Sequence, residues 1–445
     1  MAGCLAINAN ILASPTGGPV RICRLCNNCA LRFRNPFMTS TKGAPSSSRF
    51  PLWLLICASL TAIAPLSIDM YLPSFPALAA DLHTDIGQVQ LTLGTFLVGL
   101  AIGQAFYGPI SDRFGRKPPL YVGLTIYGAA AAGCAMASTV DSLMLWRFLQ
   151  ALGGCTGLVV SRAVIRDRME AHESARAYSS LMLVMGLAPI LAPLIGGAVL
   201  AASGWRAIFW IHCGAAVLLL WFVHVRMEES LDVQRRRTLH PVAVLRSYWE
   251  LLRDREFLGY SLAAGCVQGG MFAYIAGSPF VLIELHGIDP SHYGFVFGAN
   301  AFGLIGMSQV NSRLVRSRAL DDVLRVALFA PCVAGLVLAG TALIGWTTLP
   351  VLLVCFFVFL SGLGCITPNA SALALSHQSH RAGTASALMG TLQFGFGTLA
   401  GAAVSLWHDG TALPLAVVMA VCGSGAVVLR LYGRAGMRQR SQSAT

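Results

Sequence analysis

Apolar runs of about 20 residues recur along this chain, separated by short polar stretches. A run of that length spans the hydrocarbon core of a bilayer as a helix. Such runs fall near 52–76, 89–110, 119–138, 142–163, 178–202, 206–225, 258–282, 292–312, 323–345, 349–371, 383–407 and 411–432. The pattern predicts an all-α membrane protein with twelve transmembrane helices.

The polar stretches alternate in charge. One set carries Arg113, Arg116 and Lys117, then Arg162, Arg166, Arg168 and Arg176, then Arg313, Arg316, Arg318 and Arg325, then Arg381. The intervening set carries Asp81, Asp85, Asp141, Glu284, Asp289 and Asp409, with Arg206 as its one basic residue. Lys and Arg concentrate on the cytoplasmic side, so both termini are expected there. The longest internal polar stretch, from Arg226 to Phe257, divides the helices six and six. The expected organisation is a basic tail over 1–50, a six-helix half over 51–226, a cytoplasmic linker over 227–256, a second half over 257–432 and a tail over 433–445. Two such halves predict alternating access about a central site. The loop "GPISDRFGRKP" after the second run has a weak echo, "GMSQVNSRLVRSR", after the eighth.

Composition agrees. Of 445 residues, 56% are hydrophobic and 11% charged, against about 25% charged in soluble domains. The net charge of +12 would raise nucleic acid as a partner in a soluble protein. Here the basic residues lie between apolar runs, so membrane topology accounts for them and no nucleic-acid partner is expected. Most of the 13 cysteines stand singly in apolar runs, as small apolar residues do. Cys23, Cys26 and Cys29 have two-residue gaps but no nearby histidine to complete a metal site. The first 50 residues therefore read as a disordered basic tail, or as sequence upstream of a start at Met38. The apolar run after Arg49 is too long for a cleaved signal peptide. No Walker loop, zinc-protease motif or serine elbow appears, so neither an enzyme nor a cofactor is expected. The energy must come from an ion gradient or from the cargo's own gradient.

Four places carry candidate chemistry. In "GPISDRFGRKP", Gly108 and Gly115 frame Asp112, Arg113, Arg116 and Lys117. Opposite charges so close predict ion pairs made in one arrangement of the two halves, a conformational latch. In "WRFLQALGG", Arg147 and Gln150 lie within an apolar run, where a charge normally faces the protein interior. In "GLAPILAPLIGG", Pro189 and Pro193 interrupt helix hydrogen bonding, and Gly186, Gly196 and Gly197 permit close packing. Finally, Asp69 is the one acid in the run from Phe50 to Ala80. At 1.5 Å per residue it lies about 15 Å from the outer end of its helix, and Arg147 lies about 8 Å from the same face. A direct or water-bridged pair is one arrangement. An acid between burial and an arginine is placed to gain and lose a proton. A structural polar link between helices is the other reading. Tyr71, Gln150, Met182, Met185, Gln268, Tyr274 and Asn300 are candidate pocket residues at membrane depth.

The loop motif resembles the signature of the major facilitator superfamily, G-x-x-x-D-R-x-G-R-[RK], matched by Gly108, Asp112, Arg113, Gly115, Arg116 and Lys117. Arg147, Gln150 and Gly153 are similar to its fourth-helix motif, with Ala151 in place of a glycine. Gly186, Pro193, Gly196 and Gly197 resemble the fifth-helix motif of its antiporter branches, with Ala192 in place of a glycine. "IDMYLP", "WRFLQALGG" and "GWRAIFW" resemble the bicyclomycin-resistance (Bcr/CflA) branch over about residues 50–435. The resemblance implies proton-coupled efflux of drug-like small molecules across the inner membrane by a chain that works as a monomer among lipids. Related exporters carry a second acid earlier in the first helix, where this chain has Thr61, Ala62, Ile63 and Ala64. The alternatives are a symporter or uniporter importing a metabolite, and a membrane sensor or scaffold without transport.

Overall fold

A computed structural model describes residues 51–169, 171–232, 234, 241–378 and 382–443. Every regular element among them is helical. The order is α1 (Leu52–Asp69), a 3₁₀ turn (Leu72–Ser74), α2 (Phe75–Asp81), α3 (Ile86–Phe114), α4 (Lys117–Ala135), α5 (Val140–Arg168), α6 (Ala171–Ser203), α7 (Trp205–Arg226) and α8 (Pro241–Arg253). Then come α9 (Arg255–Pro279) with a π turn (Phe280–Leu285), α10 (Pro290–Leu314), α11 (Leu320–Ala327), α12 (Phe329–Leu343), α13 (Leu349–Leu375), α14 (Ala382–Leu406) and α15 (Leu413–Ser443). Ten helical segments among the described residues are long and apolar enough to cross a membrane. The protein is thus a multi-pass membrane protein. Helices α4 and α10 fall short of that composition.

The first predicted helix is not continuous. It breaks after Asp69, passes through Met70 and Tyr71, and resumes as a 3₁₀ turn and α2. Pro73 explains the break: in a continuing helix its ring would meet the carbonyl four residues back, that of Asp69. Pro76 acts likewise on Leu72. A similar interruption follows Pro279, where α9 passes into its π turn. The last helix runs on to Ser443, past the predicted boundary at 432. The linker also holds a helix, α8, which the apolar runs did not predict. Cys23, Cys26, Cys29 and Met38 lie outside the described residues.

Helices α1, α3, α4, α5, α6 and α7 pack largely on one another, as do α9, α10, α12, α13, α14 and α15. The two sets meet along two seams, α3 against α14 and α6 against α10. Side chains cross these seams. Thr391 Oγ1 donates to the Ala101 carbonyl, and the Gly294 backbone approaches Leu194. The 3₁₀ turn after α1 packs on α6, α9 and α10, so the α1 break sits where the sets meet.

Candidate functional site

Asp69 is the last residue of α1 and is 3% exposed. Its Oδ1 is buried without a hydrogen-bond partner. The carboxyl lies within electrostatic range of the Tyr274 and Tyr293 hydroxyls on α9 and α10. Those tyrosines have partners of their own: Asn300 Nδ2 donates to Tyr274 Oη at 2.8 Å, and the Tyr293 and Ser278 hydroxyls are 2.9 Å apart. The Tyr274 ring stacks on Phe297 and meets Phe356 edge-on. An unpaired carboxyl oxygen thus lies within electrostatic range of hydroxyl-bearing aromatic residues of the other set of helices. A buried polar atom without a partner needs a proton, a water or a group of a ligand.

Arg147 does not pair with Asp69. Its Nη1 donates to Gln150 Oε1 at 2.8 Å and its Nη2 to the Ser67 carbonyl at 2.9 Å. The guanidinium lies 4.2 Å from the ring centroids of both Tyr71 and Phe96. Aromatic faces and a helix-end carbonyl thus replace the carboxylate that the depth arithmetic offered. The break accounts for it: Leu66 still accepts from the Met70 N–H, but past Asp69 the helix no longer supplies a donor to Ser67, whose carbonyl turns to α5.

Gly196 fixes the same break from the other side. A Cβ on Gly196 would collide with the Met70 carbonyl, so α6 and the end of α1 touch backbone to backbone. Pro189 and Pro193 sit inside α6, which remains continuous. Gly186 is near Ile305 across the seam, and Gly197 makes ordinary contacts with Pro290 and Ser291. Motifs separate in sequence therefore converge on one point. Arg147 from α5 and Gly196 from α6 hold the carbonyls on either side of Asp69.

The predicted pocket residues divide. Tyr274 and Asn300 form one hydrogen-bonded pair, with the Tyr274 hydroxyl within electrostatic range of Asp69. Tyr71 is instead packed beneath Arg147, with its hydroxyl 3.2 Å from Thr92 Oγ1, and Gln150 is the arginine's acceptor. Gln268 is partly buried, with its Nε2 3.8 Å from Met271 Sδ. Met185 is partly buried against the core. The Met182 side chain lies outside the described residues.

Sequence reasoning missed His212. It is buried on α7 between the Tyr127 and Phe209 rings, with both ring nitrogens unpartnered. The signal was the one that flagged Asp69: a lone titratable group in an apolar run. Ser67 and Tyr127, whose hydroxyls are 2.7 Å apart, carried no comparable signal.

The loop after α3 forms a charge cluster at the helix ends. Gly115 takes φ +97°, a backbone conformation that favours glycine, and turns the chain from α3 into α4. A Cβ on Gly108 would meet open space, so that glycine serves no close contact here. Arg116 is 1% exposed. It bonds Asp112 Oδ1 and Asp167 Oδ2, each at 2.7 Å, and Ser111 Oγ at 2.9 Å. Glu229 accepts from the Arg116 and Lys117 backbone N–H groups at 2.8 and 3.0 Å. Burial alone would lower the guanidinium's pKa, but the bonds and charges of Asp167 and Asp112 outweigh it and hold it above its ordinary value. Asp112 is partly exposed and Arg113 exposed. The Arg116 ion pairs join α3 and α5 at the start of α4, and the backbone bonds to Glu229 add the segment after α7. In this arrangement both pairs lie within the first set of helices. Asp167 and Glu229, the missing partners, were acids among basic residues that topology had already explained.

The echo in the second set is likewise displaced. Asn311 pairs with Asn369, while the nearby charge cluster centres on Asp321. Arg430 grips that carboxylate at 2.7 and 3.1 Å, Arg434 approaches to 3.4 Å, and Tyr260 Oη donates at 3.2 Å.

Apolar helices in number, charge clusters at their ends and a buried acid where two helix sets meet define a membrane carrier. The model of the Major Facilitator Superfamily matches residues 57–402, and the chain belongs to that family. It is a transporter and not an enzyme. It is 33% identical over 372 residues to the "Bicyclomycin resistance protein homolog" of Haemophilus influenzae, covering 83% of this chain and 93% of that one. It is 35% identical to the "Uncharacterized MFS-type transporter YdgK" of Bacillus subtilis, covering 82% and 92%. It is 28% identical to "Multidrug resistance protein MdtL" of Escherichia coli, covering 76% and 85%. Among solved structures the fold is similar to a D-xylose-proton symporter, with TM-score 0.69 and 14% identity over 86% of this chain and 96% of the other.

Proposed function

We propose that this chain exports drug-like small molecules across the inner membrane in exchange for protons, by alternating access. Its halves are 51–226 and 257–432, joined by the 227–256 linker. Helices α4 and α10 also cross, making twelve crossings with both termini in the cytoplasm. The substrate is a small molecule and the transporter works as a monomer. Relatives named for bicyclomycin and multidrug resistance support the cargo class.

The observation that carries the reading is Asp69. Its unpartnered oxygen lies beside the seam, on one half and within electrostatic range of Tyr274 and Tyr293 of the other. A buried charge without a partner is costly. Closure around Asp69 therefore requires a proton on the carboxyl or a polar or cationic group of the cargo beside it. That competition is what exchange needs: a proton from outside satisfies Asp69 for the return of the empty carrier, and its loss inside frees the site for cargo. Arg147 and Gly196 are positioning residues that fix the α1 break. The Arg116 cluster keeps the first half rigid while it rocks.

The test uses inverted membrane vesicles, an imposed proton gradient and a panel of lipophilic cationic dyes and drugs. Wild-type uptake that an uncoupler collapses and Asp69→Asn abolishes is the expected result. Equal uptake by variant and wild type removes Asp69 from coupling. Transport found in right-side-out vesicles instead replaces export by import.

A further inference from the structure

Helix α8 takes no part in the mechanism above, yet it is built as a two-faced element. Its inner face is fixed. Leu251 is fully buried, and Tyr248 Oη donates to the Ala105 carbonyl of α3 at 3.0 Å. Helix α8 also packs on α9 and α14. It therefore crosses a seam, tied to one helix set by Tyr248 while resting on the other. The outer face is an unpaired apolar stripe: Val242, Leu245 and Trp249 are 78%, 67% and 57% exposed. Arg246 and Arg253 border it, and the Arg253 guanidinium lies 4.8 Å from the Trp249 ring.

Two observations select the partner. The first is level. Ala105 lies nine residues before the end of α3, about 14 Å along that helix. Only Asp254 separates α8 from α9, and its carboxylate caps the first turn of that membrane-crossing helix. The helix thus lies beside the bundle at the edge of the bilayer. The second is charge. Between 234 and 255 the chain carries six arginines (235, 236, 237, 246, 253 and 255) and two acids, Glu250 and Asp254. Amphipathic helices with apolar and arginine-lined faces lie in the headgroup layer, and basic clusters there favour anionic lipid.

We propose that α8 is an interfacial helix. Val242, Leu245 and Trp249 enter the leaflet, and Arg246 and Arg253 on the borders of that stripe take anionic phospholipid headgroups. With Tyr248 tied to α3, the lipid surface then holds one end of the seam in the arrangement described here. The proposal rests on the cytoplasmic placement of the linker but not on cargo or protons, and its test involves no transport.

The test is hydrogen–deuterium exchange of the full-length protein in nanodiscs of phosphatidylcholine alone or with phosphatidylglycerol. Amides in 241–253 are expected to exchange about tenfold more slowly with phosphatidylglycerol present. Arg246→Gln with Arg253→Gln reduces that difference, and Leu245→Gln with Trp249→Gln speeds exchange of the segment in both lipids, while core amides of α5 and α9 stay unchanged. Segment exchange that is the same in both lipids, or unmoved by either double variant, overturns the proposal.

Discussion

The two helix sets each tie three or more helix ends together through one buried charge, but the sign is reversed. In the first, the Arg116 cation sits among Asp112 and Asp167, with Glu229 on the adjoining backbone. In the second, the Asp321 anion sits between Arg430 and Arg434, with the Tyr260 hydroxyl as a further donor. The central group differs in more than sign. A guanidinium offers five donors in a fixed fork and serves several acceptors on different elements at once. A carboxylate offers two oxygens, and Arg430 already takes both. The first cluster thus depends on a residue with no substitute, and the second on a simple bidentate pair with helpers. Each cluster pins helix ends within one set, and these are two chemical routes to a stiff set of helices.

The comparison predicts its own largest effect. Arg116→Ala leaves Asp112 and Asp167 facing each other with no cation between them. Removing one partner of a buried pair costs about 3–5 kcal/mol; Asp112 and Asp167 are 38% and 15% exposed and Ser230 also bonds Asp167, so the lower end of that range is expected in thermal unfolding of the purified protein in detergent. Arg116→Lys should recover little of it, since a single ammonium cannot hold both acids and Ser111 in one plane. Full recovery by lysine would mean that charge alone matters, and the contrast between the clusters would collapse.

Asp321→Asn comes next. The amide keeps acceptor capacity toward Arg430 but leaves two arginines close together without an anion. Its side chain is 16% exposed, so water relieves part of that repulsion. A loss of about 1–3 kcal/mol is expected, measured by the same unfolding, and smaller than that of Arg116→Ala. A larger loss would place the anion, and not the fork, at the centre of the design.

These clusters also show what was legible in the sequence. The helical class could be read from apolar runs alone, since a segment that fills the bilayer must satisfy its backbone internally. The importance of Arg116 could be read because its neighbours form a recognisable spacing. Its partners could not: Asp167 and Glu229 lie 51 and 113 positions away, and only packing shows that they meet. Asp321 had no motif, and the search for an echo settled on Arg313 and Asn311 because it followed sequence register. Asp69 was legible as an acid in an apolar run. Its surroundings were not, because the arithmetic assumed a continuous helix. Pro73 was visible, and its consequence at Asp69 four residues back was readable in principle. His212 carried the same mark as Asp69 and was passed over.

The smallest effects lie at the edges of the two clusters, and they sharpen the comparison most finely. Asp112 and Arg434 are both peripheral, 38% and 35% exposed. Exposed pairs contribute about 0–1 kcal/mol because solvent screens them. Within that range the two should differ. Asp112 meets Arg116 at 2.7 Å one helical turn away, whereas Arg434 stands 3.4 Å from an anion already gripped by Arg430. Asp112→Asn should therefore lower unfolding stability slightly and Arg434→Gln almost not at all, and added salt should shrink the first effect further. A greater loss from Arg434→Gln would show that the second cluster shares its load between two arginines, and the bidentate pair would no longer account for it.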